Sequence, residues 1–211
     1  MIVTIDGLDG AGKSTLAARL AKELNFEYVD KPIYELFGVK GDDNHLYNQI
    51  YEMQDLIYNK TNSNVLKSWF TGLSLLHIKE CMSERNIIID RGLLSAYAFN
   101  GDESSLLVFE TLLKLGVWFD ESILVTVSNE ERIKRLKNRD PNDADLSLNK
   151  ILDLRYDSIQ NFLKMHPELP ILIIDTDHKT KEEVFEIALE EIQKRQKATN
   201  CDIQIRTRKK N

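Results

Sequence analysis

Five short aliphatic runs punctuate the chain, at Ile2–Asp6 and at 26–30, 86–90, 122–127 and 171–175. Each reads as a strand buried within a parallel sheet. The longer segments between them carry helical periodicity. In Lys13–Leu24, Leu16, Leu20 and Leu24 recur on one face. A long helical stretch fills 66–85, and a shorter one at 130–139 stops before Pro141, whose ring opposes continuation. Residues 146–165 are helical up to Pro167. Thr180-Lys181-Glu182-Glu183 has capping-box spacing and opens a last helix to about residue 197. Alternating strands and helices predict an α/β fold with a parallel sheet. With no repeat, low-complexity segment or linker, a single domain is expected over residues 1–197, followed by a basic tail at 198–211. In that tail Ile203 and Ile205 alternate with polar residues, which fits an edge strand or a frayed, solvated end.

Charge sharpens this picture. The 211 residues carry a formal net charge of −6. The last eleven hold Arg206, Arg208, Lys209 and Lys210 against Asp202, a net +3, so the body carries −9. Diffuse electrostatic binding to nucleic acid is a poor fit for such a body. An anionic ligand needs a local positive site. Cys81 and Cys201 are the only cysteines, which excludes a disulfide framework or a cysteine-rich zinc site. No apolar run approaches the roughly 20 residues that span a membrane. Without a basic segment followed by an apolar one near Met1, no signal peptide is expected, and the expected location is the cytoplasm.

The local positive site is supplied by Gly7-Leu8-Asp9-Gly10-Ala11-Gly12-Lys13-Ser14, which fits G-x-x-x-x-G-K-[ST] at every fixed position. A strand enters it and an amphipathic helix leaves it, as a phosphate loop requires. Gly7, Gly10 and Gly12 let the backbone turn so that successive N–H groups, including that of Ala11, point at phosphates. The helix N-terminus adds its dipole. Lys13 reaches the β- and γ-phosphates, and the Ser14 hydroxyl ligates Mg²⁺.

Other nucleotide-binding classes fit less well. The nearest match to a guanine-reading N-K-x-D is Asn59-Lys60-Thr61-Asn62, which lacks the Asp. The third strand ends Asp90-Arg91 rather than Asp-Glu, the usual ending in a motor-type ATPase. A carboxylate at a strand's C-terminal edge is placed to hold Mg²⁺ through water. The adjacent Arg suits a bidentate grip on a second phosphate. A salt-bridged strand end is the alternative for this pair.

Taken together, the chain resembles the thymidylate kinases, P-loop nucleoside monophosphate kinases, over roughly residues 1–195. The loop with Asp9 inside it is similar to theirs, as is Asp90-Arg91-Gly92-Leu93-Leu94-Ser95-Ala96-Tyr97-Ala98-Phe99-Asn100-Gly101. So is Trp69-Phe70-Thr71-Gly72-Leu73-Ser74-Leu75-Leu76-His77. The resemblance implies a three-layer P-loop kinase sandwich with a five-stranded parallel sheet in the order 2-3-1-4-5. The helices from 44 to 85 would cover the acceptor side. Thr15 would bond the α-phosphate and Asp9 the acceptor's 3′-hydroxyl. Arg91 would bridge donor and acceptor phosphates. Ser95 and Asn100 would line the acceptor pocket, and Phe99 would lie under the deoxyribose. Phe70 would stack on the base, with core packing the alternative; His77 would be an ordinary helix histidine.

A lid is implied at about residues 137–147. Arg132, Arg135 and Arg139 recur at i, i+3 and i+7 on one helix face and lead into it. Lid arginines neutralise charge on the transferring phosphoryl group, Arg139 foremost; a solvated basic face is the alternative for Arg132. Arg155 and Tyr156 loosely match a segment near the lid. The loop at 176–179, beginning with Thr176, would pack on adenine. A homodimer through the long helices is implied, with Trp69, Leu73 and Leu76 as candidates for either interface or core.

Four positions depart from the family pattern. Its thymine-reading Arg maps to Ser74, its Arg before Pro maps to Lys31 behind Asp30, Gly92 stands for a Tyr, and Asp143 and Asp145 replace a second lid Arg. The expected reaction moves the γ-phosphoryl group of Mg-ATP to a deoxynucleoside monophosphate, with dTMP the leading acceptor. One alternative is a deoxynucleoside kinase with Asp30 as the base its hydroxyl acceptor needs. Another is a nucleotide-binding protein without kinase activity.

Overall fold

The computed structural model describes residues 1–38, 44–142, 146 and 149–208, with the backbone alone at 44, 149–153 and 199–208. Among the described residues five strands pair side by side: β1 (Ile2–Asp6), β2 (Glu27–Val29), β3 (Ile87–Asp90), β4 (Glu121–Thr126) and β5 (Leu172–Asp175). All pairings are parallel and the order is β2-β3-β1-β4-β5, as expected. In register, Ile5 faces Asp90 and Asp6 faces Leu124, so the chemistry-bearing ends of β1 and β3 lie together.

Side chains alternate across the sheet, and each face gathers its own core. Val3, Ile5, Ile88, Ile123 and Val125 pack with α1 (Lys13–Leu24) and α9 (Lys181–Arg208). Ile2, Ile87, Ile89 and Leu124 pack on the other face with α4 (Asn64–Cys81), α5 (Leu93–Asn100), α6 (Leu106–Lys114) and α8 (Asn149–Met165). The result is a three-layer sandwich. A smaller cluster, Ile33, Tyr34 and Ile50, joins α2 (Pro32–Leu36) and α3 (Asn44–Asn59) to Phe70 of α4 beyond the β2 edge. Helix α7 (Asn129–Arg139) follows β4.

Several boundaries differ from the sequence pattern, each for a local reason. Phe26 does not open β2; its N–H closes the end of α1 on Ala21 O at 2.8 Å, after Asn25 turns left-handed. Strand β4 stops at Thr126 because the Val127 N–H donates to Tyr156 Oη at 3.2 Å. Helix α4 starts at Asn64, two residues early, because Ser63 Oγ accepts from Leu66 N at 3.2 Å. The capping box is real: Glu183 N donates to Thr180 Oγ1 (3.2 Å) and Thr180 N to Glu183 Oε2 (2.7 Å). Helix α9 then runs to Arg208, so the backbone around Ile203 and Ile205 is helical and no edge strand forms there. Residues 209–211 and, of the expected lid, 143–145 and 147 lie outside the described residues. Trp69 and Leu73 are exposed on α4, whereas Leu76 packs against the core. Among the described residues no helix is long and apolar enough to cross a membrane.

Candidate active site

The loop between β1 and α1 lies at the C-terminal edge of the sheet, where open α/β sheets bind ligands. Gly7 crosses so close to β4 that a Cβ there would stand 2.5 Å from Val125 O. Gly12, at φ +96°, caps α1 with no side-chain bond, which leaves the first amides of the helix for a ligand. Asp9, Gly10, Ala11, Gly12, Lys13, Ser14 and Thr15 border a cleft of about 900 Å³. Its other wall brings Arg135 and Arg139 of α7 opposite Thr176 and Phe185. Ser14 and Thr15 are exposed in this cleft.

Two cations converge on one carboxylate oxygen. Lys13 Nζ lies 3.3 Å from Asp9 Oδ1 and 3.3 Å from Leu8 O, and Arg91 Nη2 donates to the same Asp9 oxygen. Burial pushes the Lys13 ammonium below its usual pKa, and the Arg91 charge adds to this while Asp9 opposes it. Burial would raise the Asp9 carboxyl, but Arg91 and Lys13 together hold it below the usual carboxylate value. Arg91 takes φ +80°, a strained conformation for a side-chain-bearing residue. Its guanidinium lies 4.9 Å from the Phe99 ring centroid, and that of Arg155 lies 4.0 Å from the same centroid.

Asp90 is buried at the end of β3, with Oδ1 lacking a hydrogen-bond partner and Oδ2 accepting from Tyr28 Oη at 3.4 Å. Burial, reinforced by the Asp90 charge, pushes Tyr28 up to about 12. An orphaned carboxylate oxygen on the α1 side of the sheet, whose charge is felt by Lys13, fits a hard cation that Ser14 would share.

The three arginines of α7 do not act alike. Arg135 spans the cleft wall, donating from Nη1 to Thr176 Oγ1 at 3.0 Å and from Nη2 to Thr176 O at 2.9 Å. Arg139 borders the cleft. Arg132 is 1% exposed and bonds Asn129 Oδ1, so it is neither a cleft arginine nor part of a solvated face. It lies beneath the loop, where a Cβ on Gly10 would stand 2.7 Å from Arg132 Cγ.

On the far side of Arg91, Phe70 packs edge-on against Tyr58 at 5.7 Å and joins the small cluster. Lys31 is exposed, 3.3 Å from Tyr47 Oη, in front of the stacked Tyr34–Tyr47 rings. Asn100 Nδ2 donates to Thr71 Oγ1 at 3.1 Å, and Thr71 also pairs with Tyr58 Oη at 2.6 Å. Ser74 is buried, its hydroxyl spent on Thr71 O at 2.6 Å. Ser95 is buried too, and its backbone amide bonds Asp6. Sequence reasoning missed Arg19, whose guanidinium lies 3.7 Å over Phe185 at the cleft rim, and the buried Asp6. Both act through contacts far along the chain, so no local spacing signals them.

Three similarities bear on these features. A chain named "Probable thymidylate kinase" from Methanocaldococcus jannaschii is 27% identical over 191 residues, covering 87% of this chain and 91% of its own. A solved Mycoplasma structure, deoxyadenosine kinase from M. mycoides with products dCMP and dCDP bound, shares the fold at TM-score 0.61 and 22% identity. It covers 92% of this chain and 100% of its own. Thymidylate kinase from Candida albicans does so at TM-score 0.62 and 17% identity, covering 92% of each chain. The family model described as "AAA domain" matches residues 3–160, most of the sheet and the whole phosphate loop. With the P-loop kinase fold built on that loop, the chain belongs to the AAA domain family and resembles its thymidylate kinases.

Proposed function

We propose that the protein transfers the γ-phosphoryl group of Mg-ATP to a deoxynucleoside monophosphate, with dTMP as the acceptor. The observation that carries this reading is the convergence of Lys13 and Arg91 on Asp9 Oδ1. One cation belongs to the donor loop and the other to the end of β3, so two phosphate groups meet between them. An anionic acceptor oxygen needs no general base, and catalysis is positioning plus charge stabilisation. Lys13, Arg91 and Arg139 supply the charge; Asp9 aligns the acceptor. Ser14 and Asp90 would hold Mg²⁺, which offsets charge on the donor phosphates. Gly7, Gly10, Ala11, Gly12 and Thr15 cradle the triphosphate, with Arg135 and Thr176 on the adenine side. Lys31, Phe70, Ser95, Phe99 and Asn100 form the acceptor side, and base choice rests on these rather than on the engaged hydroxyl of Ser74. Residues 137–147 act as the lid of one domain over 1–197. The working form is a cytoplasmic homodimer.

A nucleoside acceptor is the second reading. Asp30 is exposed at the end of β2, where a base for a sugar hydroxyl would stand, and the M. mycoides fold relative is named a deoxyadenosine kinase. A coupled ADP-release assay with dTMP and thymidine side by side separates the two. Turnover with dTMP, lost in Lys13→Ala, supports the proposal. Turnover with thymidine alone, or none with either, overturns it.

A further inference from the structure

Asp6 has no part in the reaction drawn above, yet it is a fully enclosed carboxylate one residue before the phosphate loop. It points away from α1, because Ile5 before it faces the α1 core. Its Oδ1 accepts from Gly92 N at 2.9 Å and from Ser95 N at 2.8 Å. These belong to the N-terminal turn of α5, whose cap residue, Gly92, has no side chain to do this. The preceding amide, Arg91 N, donates to Ile5 O at 3.0 Å. Consecutive amides 91 and 92 are therefore both tied to the last two residues of β1. Between those ties Arg91 is held at φ +80°. The approach is too close for any side chain at residue 92: a Cβ would stand 2.9 Å from Asp6 Oδ2 and 2.7 Å from Thr4 Cβ. Gly92, where the resembling family has a Tyr, is what admits the carboxylate so near the turn.

We propose that Asp6 is a positioning residue: it pins the first turn of α5 to the root of the phosphate loop and thereby fixes where Arg91 delivers its charge. This rests on the kinase reading for its catalytic consequence. One strut then sets the spacing between donor loop and acceptor helix, since α5 carries Phe99 and Asn100 at its other end. A misplacement of about 1 Å costs on the order of 10²-fold in rate.

The test compares Asp6→Ala, which removes the acceptor oxygen, with Asp6→Asn, which keeps one. Two readouts need no substrate: hydrogen exchange of the Gly92 and Ser95 amides, and the NMR signal of Arg91 Nε–H. In Asp6→Ala both amides should lose protection and the Arg91 signal should shift. The turnover number with dTMP should fall roughly 10- to 100-fold while KM for ATP stays within about threefold. Asp6→Asn should restore the amide protection, the Arg91 signal and most of the rate. Unchanged protection or an unmoved Arg91 signal in Asp6→Ala overturns the proposal. So does a rate loss that Asp6→Asn fails to restore, or an equal rise in KM for ATP. Should Asp6→Ala not fold, Asp6→Asn alone decides: an altered Arg91 signal or low rate despite its retained oxygen counts against the strut. A wild type that phosphorylates no nucleotide defeats the kinase reading, while the Arg91 signal still reports on the positioning.

Discussion

Gly7→Ala separates two costs that usually arrive together. Gly7 takes φ +147° and runs so near β4 that an added Cβ would sit 2.5 Å from Val125 O and 2.9 Å from Val125 Cγ2. Ordinary carbon contacts lie near 3.5–4.0 Å, so the loop must retreat by about 1 Å or strand β4 must yield. Overpacking of this kind costs about 1–3 kcal/mol, and an alanine held at positive φ about 1–2 kcal/mol more. The sum is about 2–5 kcal/mol, a large part of the roughly 5–15 kcal/mol typical of a whole domain. Gly116→Ala is the control. Gly116 takes φ +80°, but its Cβ would meet only the flexible end of Lys79, at 3.2 Å. It should show the backbone cost alone, about 1–2 kcal/mol. Urea unfolding at constant m reads both values. The difference between the variants, about 1–3 kcal/mol, is the close-approach cost. Because the retreating loop carries Lys13, the turnover number of Gly7→Ala should fall on the order of 10²-fold, while that of Gly116→Ala stays at the wild-type level. Equal destabilisation in the two variants, or full turnover in Gly7→Ala, would refute this reasoning.

Three further outcomes follow. Asp9 has a lowered pKa in the fold, so its contribution to stability is fully present above the ordinary carboxylate value and is lost as pH falls through the lowered one. Melting temperatures of wild type and Asp9→Asn should therefore differ by a constant amount above about pH 5 and converge in stronger acid; a gap that widens in acid contradicts the pairing with Lys13 and Arg91. Arg135→Ala should raise KM for ATP roughly tenfold, equivalent to about 1.4 kcal/mol, with the turnover number little changed, because only the Thr176 anchor is removed. Phe109→Ala, at a fully buried ring packed edge-on to Tyr97 and Phe162, should cost about 3–5 kcal/mol in urea unfolding without altering KM for either substrate.

What could be read from the sequence was what lies close together in it. An apolar run ending in Gly7 through Ser14 fixes a strand, a loop and a helix start at once, and α1 ends where its leucine stripe ends. The capping box at Thr180 and Glu183 is equally local. Helix α5 was not legible because seven of its eight residues are buried, which erases the one-sided period that marks a surface helix. The end of β4 depends on Tyr156, 29 residues away from Val127. Arg132 and Arg135 share a helix face in the sequence pattern, yet the loop packs down on one and leaves the other to reach Thr176. Asp6 reads as the last residue of a strand, and only the fold brings it under Gly92 and Ser95. Charge illustrates the same point. A body at −9 holds its positive potential in one buried Lys, a few Arg and a helix terminus, which no overall balance reveals.

The central claim, transfer from ATP to a nucleotide phosphate, is tested most directly by following the label of γ-³²P-ATP. With Mg²⁺ and dTMP present, label should appear in dTDP in step with ADP, and Lys13→Ala should abolish it. Label released only as inorganic phosphate, or carried only into dTMP when thymidine is supplied, would contradict the account.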